Sequence, residues 1–73
     1  MNPQKKYIKE KRDGLQVWFH LKKRGYSMAD VGRATGKTRS AVHQVIYGKR
    51  NSKEILDFIE SIGVPKKHLG VTR

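Results

Sequence analysis

The stretch SMADVGRATGKTRSAVHQVIYG, Ser27 to Gly48, constrains the fold more than any other part of the chain. It reads as two short helices joined by three or four residues. Such a pair can cross steeply only if something small sits where the helices touch, and Gly32 supplies it in the first. Gly36, four residues later, allows the positive φ that the turn needs. The first helix is expected from Met28 to Thr35, with Ser27 as N-cap, Asp30 in its first turn and Gly36 closing it. The second starts at its cap, Thr38, and runs to about Tyr47, before Gly48. Val31 points to the core from the first helix. Val42 and Val45, three residues apart on one face, do so from the second.

The remaining pattern is also helical, and no convincing strand is predicted. Residues 1–12 read as a flexible basic N-terminal arm and 13–73 as the folded domain. DGLQVWFHLKKRG forms a helix with Asp13 as N-cap. Leu15, Trp18, Leu21 and also Val17 supply its apolar face, and Trp18 is expected as a core anchor. Lys22, Lys23 and Arg24 suit the negative end of the helix dipole, and Gly25 is the left-handed C-cap. NSKEILDFIESIG opens with an Asn51/Glu54 capping box. Ile55, Ile59 and Ile62 then form a stripe, with Leu56 and Phe58 beside it, and Gly63, Val64 and Pro65 stop the helix. PKKHLG makes one last turn that seats Leu69. The expectation is an all-α fold, a compact bundle of about four to five short helices.

Charge points to a partner. Seventeen Lys and Arg against six Asp and Glu give the 73 residues a formal charge of +11. A small domain with that excess attracts polyanions, nucleic acid first and anionic membrane second. The charge is unevenly placed. No acid occurs from Val31 to Lys53, while Arg33, Lys37, Arg39, Lys49, Arg50 and Lys53 all do. A charge run is usually a solvated face; this one coincides with the helical pair.

Between its valine anchors the second helix of the pair presents Thr38, Arg39, Ser40, His43 and Gln44 outward. That polar face would be wasted in a core, and it suits the reading of base edges. Arg offers two donors to guanine, Gln pairs bidentately with adenine, and Ser, Thr and His donate or accept. This is the helix-turn-helix arrangement, whose second helix enters the major groove of double-stranded DNA. Lys49, Arg50 and Lys53, which follow that helix, are expected as phosphate clamps, and Lys37 can snorkel to a phosphate. Tyr47 stands as either a core edge or a phosphate donor. Lys5, Lys6, Lys9, Lys11 and Arg12 form an arm that either follows the duplex or is simply disordered.

The stretch LKKRGYSMADVGRATGKTRSAVHQVIYG resembles the λ-repressor-like helix-turn-helix domains, and among them the small Ner-type phage regulators. The likeness runs from about Arg12 to the C-terminus and is carried best by LKKRGYS and GVPKKHLG. It implies a bundle of about five helices, no cofactor, and repression of transcription from phage promoters by operator binding. The family's recognition-helix positions fall on Thr38, Arg39, Ser40, His43 and Gln44. Three positions depart from the family pattern. Met28 stands where Gln usually holds a phosphate, Gly32 where Ala is more frequent, and Lys37 where an apolar residue is common.

Other classes of function are weaker. His20, His43 and His68 share no metal-ligand spacing. TGKT at Thr35–Thr38 lacks the upstream glycine and strand of a phosphate loop. No catalytic pocket is expected in so small a bundle, so neither enzyme activity nor a cofactor is anticipated. A DNA-bending or excisionase-like recombination accessory protein would use the same fold and charge. Binding of anionic lipid through Trp18 and Phe19 requires the apolar face of the first helix to be exposed. RNA binding is weaker still, since no stacking-aromatic sheet is foreseen. The absence of cysteines and of a signal-type apolar stretch suggests a soluble intracellular protein, and the resemblance implies the cytoplasm of a bacterial or phage-infected cell, in association with the nucleoid. A homodimer, or paired monomers on DNA, is expected, because one such domain reads only a short site.

Overall fold

A computed structural model describes residues 6–72. The chain forms an all-α bundle: α1 (Gly14–Lys23), α2 (Met28–Thr35), α3 (Arg39–Ile46), α4 (Lys53–Ser61) and the single turn α5 (Lys66–Leu69). A two-residue strand at each end, β1 (Lys6–Tyr7) and β2 (Val71–Thr72), pairs antiparallel with Lys6 opposite Thr72 and Tyr7 opposite Val71.

Local chemistry sets most of the boundaries. The Asp13 side chain accepts from Gln16 N–H and Thr38 Oγ1 from Ala41 N–H, so both act as the N-caps expected. Ser27 and Asp30 form a reciprocal capping box on α2. Gly36 ends α2 at φ 71°, in the left-handed region. The start of α4 differs from expectation. Its cap is Ser52, which accepts from Ile55 N–H at 3.4 Å, and not Asn51. Asn51 is occupied elsewhere: its Oδ1 accepts from Arg12, and its Nδ2 donates to Tyr7 O at 2.9 Å.

The core is one cluster. Val17 and Leu21 enter it from α1, Val31 from α2, and Val42, Val45 and Ile46 from α3. Ile55, Leu56 and Ile59 follow from α4, with Val64 and Leu69 after it. Tyr26, Phe58 and Ile62 pack on its edge, Tyr26 and Phe58 edge to face. α2 packs on both α3 and α4, and α1 on α5 and α3.

Gly32 is buried at the α2–α3 crossing. A Cβ added there would stand 2.7 Å from Lys37 O, closer than side-chain carbons approach a backbone oxygen. Even an alanine at this position would force the turn to shift.

Two expectations about the chain's first third are corrected. Leu15 is 70% exposed, Phe19 51% and Trp18 41%. α1 presents two overlapping apolar stripes, and its neighbours α3 and α5 cover only the one carrying Val17 and Leu21, so Trp18 is not a core anchor. The segment read as an arm is built into the fold from Lys6 onward; Lys5 lies outside the described residues. Tyr7 OH donates to Asp57 on α4. Arg12 is only 9% exposed and donates to Val45 O (2.8 Å), Leu69 O (3.0 Å), Arg50 O (3.1 Å) and Asn51 Oδ1 (2.6 Å). A guanidinium with that many inward acceptors cannot also serve a mobile arm.

At the other end of α1, Arg24 donates to Ile62 O and Gly63 O, joining the C-termini of α1 and α4. It also donates to His20 Nδ1 at 3.0 Å, and the His20 and His68 rings lie 5.3 Å apart where α1 meets α5.

Two stability predictions follow from these contacts. Gly32→Leu overpacks the crossing and is expected to destabilise the fold by about 1–3 kcal/mol; an unchanged denaturation midpoint would count against the close approach. Arg12→Met keeps most of the bulk and removes the donor that four acceptors share. A loss of at least about 1–3 kcal/mol is expected in urea denaturation, with Arg12→Lys intermediate because one ammonium reaches fewer of them.

Candidate nucleic-acid interface

The outer face of α3 is assembled by its inner one. Burial of Val42, Val45 and Ile46 turns the opposite side of the helix to solvent. Arg39, Ser40 and His43 are exposed there and Gln44 is half-buried. These four residues share one surface groove with Met28 and Lys49. Thr38 is exposed at the N-terminal end of the helix, where its hydroxyl oxygen accepts from Ala41 N–H at 3.0 Å, outside that groove. The hydroxyl proton is not needed for the cap and can still be donated.

Two further troughs flank α3. On the α4 side, Lys37, Arg50 and Lys53 line a depression with Asn51, Ser52 and Glu54. Three of the five cations and donors expected to hold phosphate are thus brought together although the chain separates them. Lys53 is partly engaged by Asp57, one turn on, at 2.9 Å, an exposed pair that a stronger anion can displace. Lys49 does not join them. It lines the central groove with Ser40 and Gln44.

On the α1 side, Arg39, His43 and Tyr47 line a trough whose opposite wall is Trp18 and Lys22. Tyr47 settles as a surface residue. It is 36% exposed, its ring packs over Gly14, and the His43 ring lies 4.7 Å away at 41°. Trp18 and Lys22 were not among the site residues expected from the sequence. The available signal was that Lys22 follows Trp18 by four, which places both on one side of the helix.

The electrostatics are set by what is kept out. The acid-free run from Val31 to Lys53 supplies every residue of the central groove except Met28. Asp30, at the edge, is used locally. Its carboxylate accepts from Ser27 N–H at 2.9 Å and pairs with Arg33. The Ser27 hydrogen bonds, with help from Arg33, hold it below the usual carboxylate range. Glu54, at the rim of the α4-side trough, is likewise held low by its own backbone N–H and then by Ser52. Both carboxylates are spoken for by the caps of their helices.

Because the folded Asp30 carboxyl is more acidic than the unfolded one, its contribution is present above the ordinary carboxylate range and is lost as pH falls through the lowered value. Asp30→Asn is therefore expected to melt below the parent at neutral pH. The difference should close as the medium becomes strongly acid. Thermal melts along that pH series check it, and a difference independent of pH would show that the carboxylate charge is not what α2 uses.

Among the described residues no helix is long and apolar enough to cross a membrane, and no group of three or more His, Asp or Glu is placed to hold a metal ion. Comparison with protein-family models, with curated proteins and with solved structures finds no match to this chain.

Proposed function

We propose that this protein is a sequence-specific double-stranded DNA-binding regulator of transcription, a repressor of the λ-repressor-like, Ner-type kind, and that α2 and α3 are its helix-turn-helix. The observation that carries the reading is the exposed polar face of α3, held clear of the core by the Gly32 crossing and flanked by basic troughs. A helix with its side chains is about 10–12 Å across, which matches a major groove about 12 Å wide. In this reading Arg39, Ser40, His43 and Gln44 reach base edges, with Thr38 at the entering end. Lys37, Arg50 and Lys53 hold phosphate, and Lys49 and Tyr47 stand at the edges of the reading face. The partner is the duplex, read by two copies, and no cofactor takes part.

A second reading rests on Leu15, Trp18 and Phe19. Their exposure beside Lys22 and Lys23 satisfies the condition for binding an anionic surface through α1. The DNA reading is preferred because it also uses the polar face of α3, which a lipid surface leaves without a role.

Selection of bound sequences from random duplex DNA, followed by footprinting, tests the proposal. An enriched site is expected, favoured over random duplex by roughly 10³-fold or more. Salt-dependent binding without any enriched site would instead favour a DNA-bending accessory protein. On the enriched site, Arg39→Ala is expected to cost about 1–3 kcal/mol and to relax preference at one base pair. Arg50→Ala should weaken all duplexes alike and flatten the slope of log affinity against log salt by about 0.9. Equal loss on operator and scrambled DNA for Arg39→Ala would make Arg39 a clamp and not a reader.

A further inference from the structure

We infer that the trough between α1 and α3 is a second phosphate-backbone track, with Lys22 and Trp18 as contacts of the same duplex that α3 reads. The inference rests on the DNA reading above and extends it to a helix outside the α2–α3 pair.

The argument begins with the shape of a duplex. A helix lying in the major groove has a phosphate strand along each side of it. Lys37, Arg50 and Lys53 stand on the α4 side of α3 and can serve only one of those strands. The other strand would run along the α1 side, where the trough between Trp18 and Tyr47 opens. Its lining includes two basic side chains, Lys22 and Arg39, and no carboxylate. Asp30 lines a separate depression that shares Lys22 and Ser27 with the trough.

The donors fit this occupant. Lys22 Nζ sits 5.2 Å from the centroid of the Trp18 ring, so the ammonium is held over an aromatic face. The indole N–H and the Tyr47 hydroxyl can donate to phosphate oxygen, and both rings offer flat apolar surface to deoxyribose. The same occupant accounts for a tryptophan that stays 41% exposed at the wall of the trough. Lys23 provides an internal control. It is the next residue and also a lysine, but it lies over Phe19 at 5.6 Å and does not line the trough.

Trp18 is the only tryptophan, so its fluorescence reports on this trough in the unmodified chain. The experiment titrates the full chain with the selected duplex while measuring acrylamide quenching. Anisotropy of the labelled duplex is followed in parallel, for the parent and for Lys22→Gln and Lys23→Gln. Loss of quencher access to Trp18 in step with duplex saturation is expected. Lys22→Gln should flatten the slope of log affinity against log salt by about 0.9, with Lys23→Gln leaving it unchanged. If the duplex binds while Trp18 stays as accessible as in free protein and the Lys22→Gln slope equals the parent's, the track is overturned and the α3 reading survives. If no duplex binds, both fall together. Protection of Trp18 that rises with protein concentration alone would give the trough to a second copy. Protection by phosphatidylserine vesicles and not by duplex would give it to a membrane. Either result overturns the inference.

Discussion

The fold turns on a contact in which one partner has no side chain. At the α2–α3 crossing the bare Cα of Gly32 lies against the carbonyl of Lys37, with no room for a Cβ. The close approach lets two eight-residue helices, each too short to be stable alone, share one set of valines. It also sets the rotation of α3. With Val42, Val45 and Ile46 drawn inward, Arg39, His43 and Ser40 have nowhere to go but out. The glycine weakens α2 by roughly 0.5–1 kcal/mol relative to alanine. The Ser27–Asp30 box and the Thr38 cap offset that weakness at the ends of the two helices.

A second constraint holds the periphery. Arg12 gathers the end of α3, the loop after it, Asn51 and the last residue of α5 around one guanidinium. All four acceptors are neutral, and Val45 O belongs to the negative end of the α3 dipole, where a cation is favoured. The contact reaches the candidate interface because Arg50, whose carbonyl it holds, lines the α4-side trough. A chain with this much like charge needs such ties. Its terminal segments would otherwise be pushed apart, and they are instead brought together as a strand pair.

The distribution of carboxylates complements that of the lysines and arginines. Asp30 and Glu54 sit at the two edges of the α3 surface, and each is committed to a helix N-terminus. Asp57 and Glu60 lie on α4, toward Tyr7, Lys53 and Lys66. The central groove and the α1-side trough are left with positive and neutral lining alone. In the proposed reading, such a surface meets a polyanion whose charge is regularly spaced, and α3 supplies the donors and acceptors that tell one sequence from another.

What the sequence determined by itself was the part governed by local chemistry. Capping side chains, positive-φ glycines and valines at helical spacing act within a few residues of one another. The bounds of α2 and α3, the outward set Thr38, Arg39, Ser40, His43 and Gln44, and the seating of Leu69 were therefore legible in advance. Where two local solutions competed, only the tertiary structure could choose. α1 carries Val17 and Leu21 on one stripe and Leu15, Trp18 and Phe19 on another. The positions of α3 and α5 decided which is buried. Asn51 and Ser52 are both good caps, and a guanidinium 39 residues earlier in the chain claimed Asn51. Arg12 itself read as one more surface cation, because its four acceptors converge only when α3, the loop after it and α5 are in place. The troughs beside α3 belong to the same class. They join residues from α1, α3 and α4, and a surface shared by distant segments has no signature in any one of them.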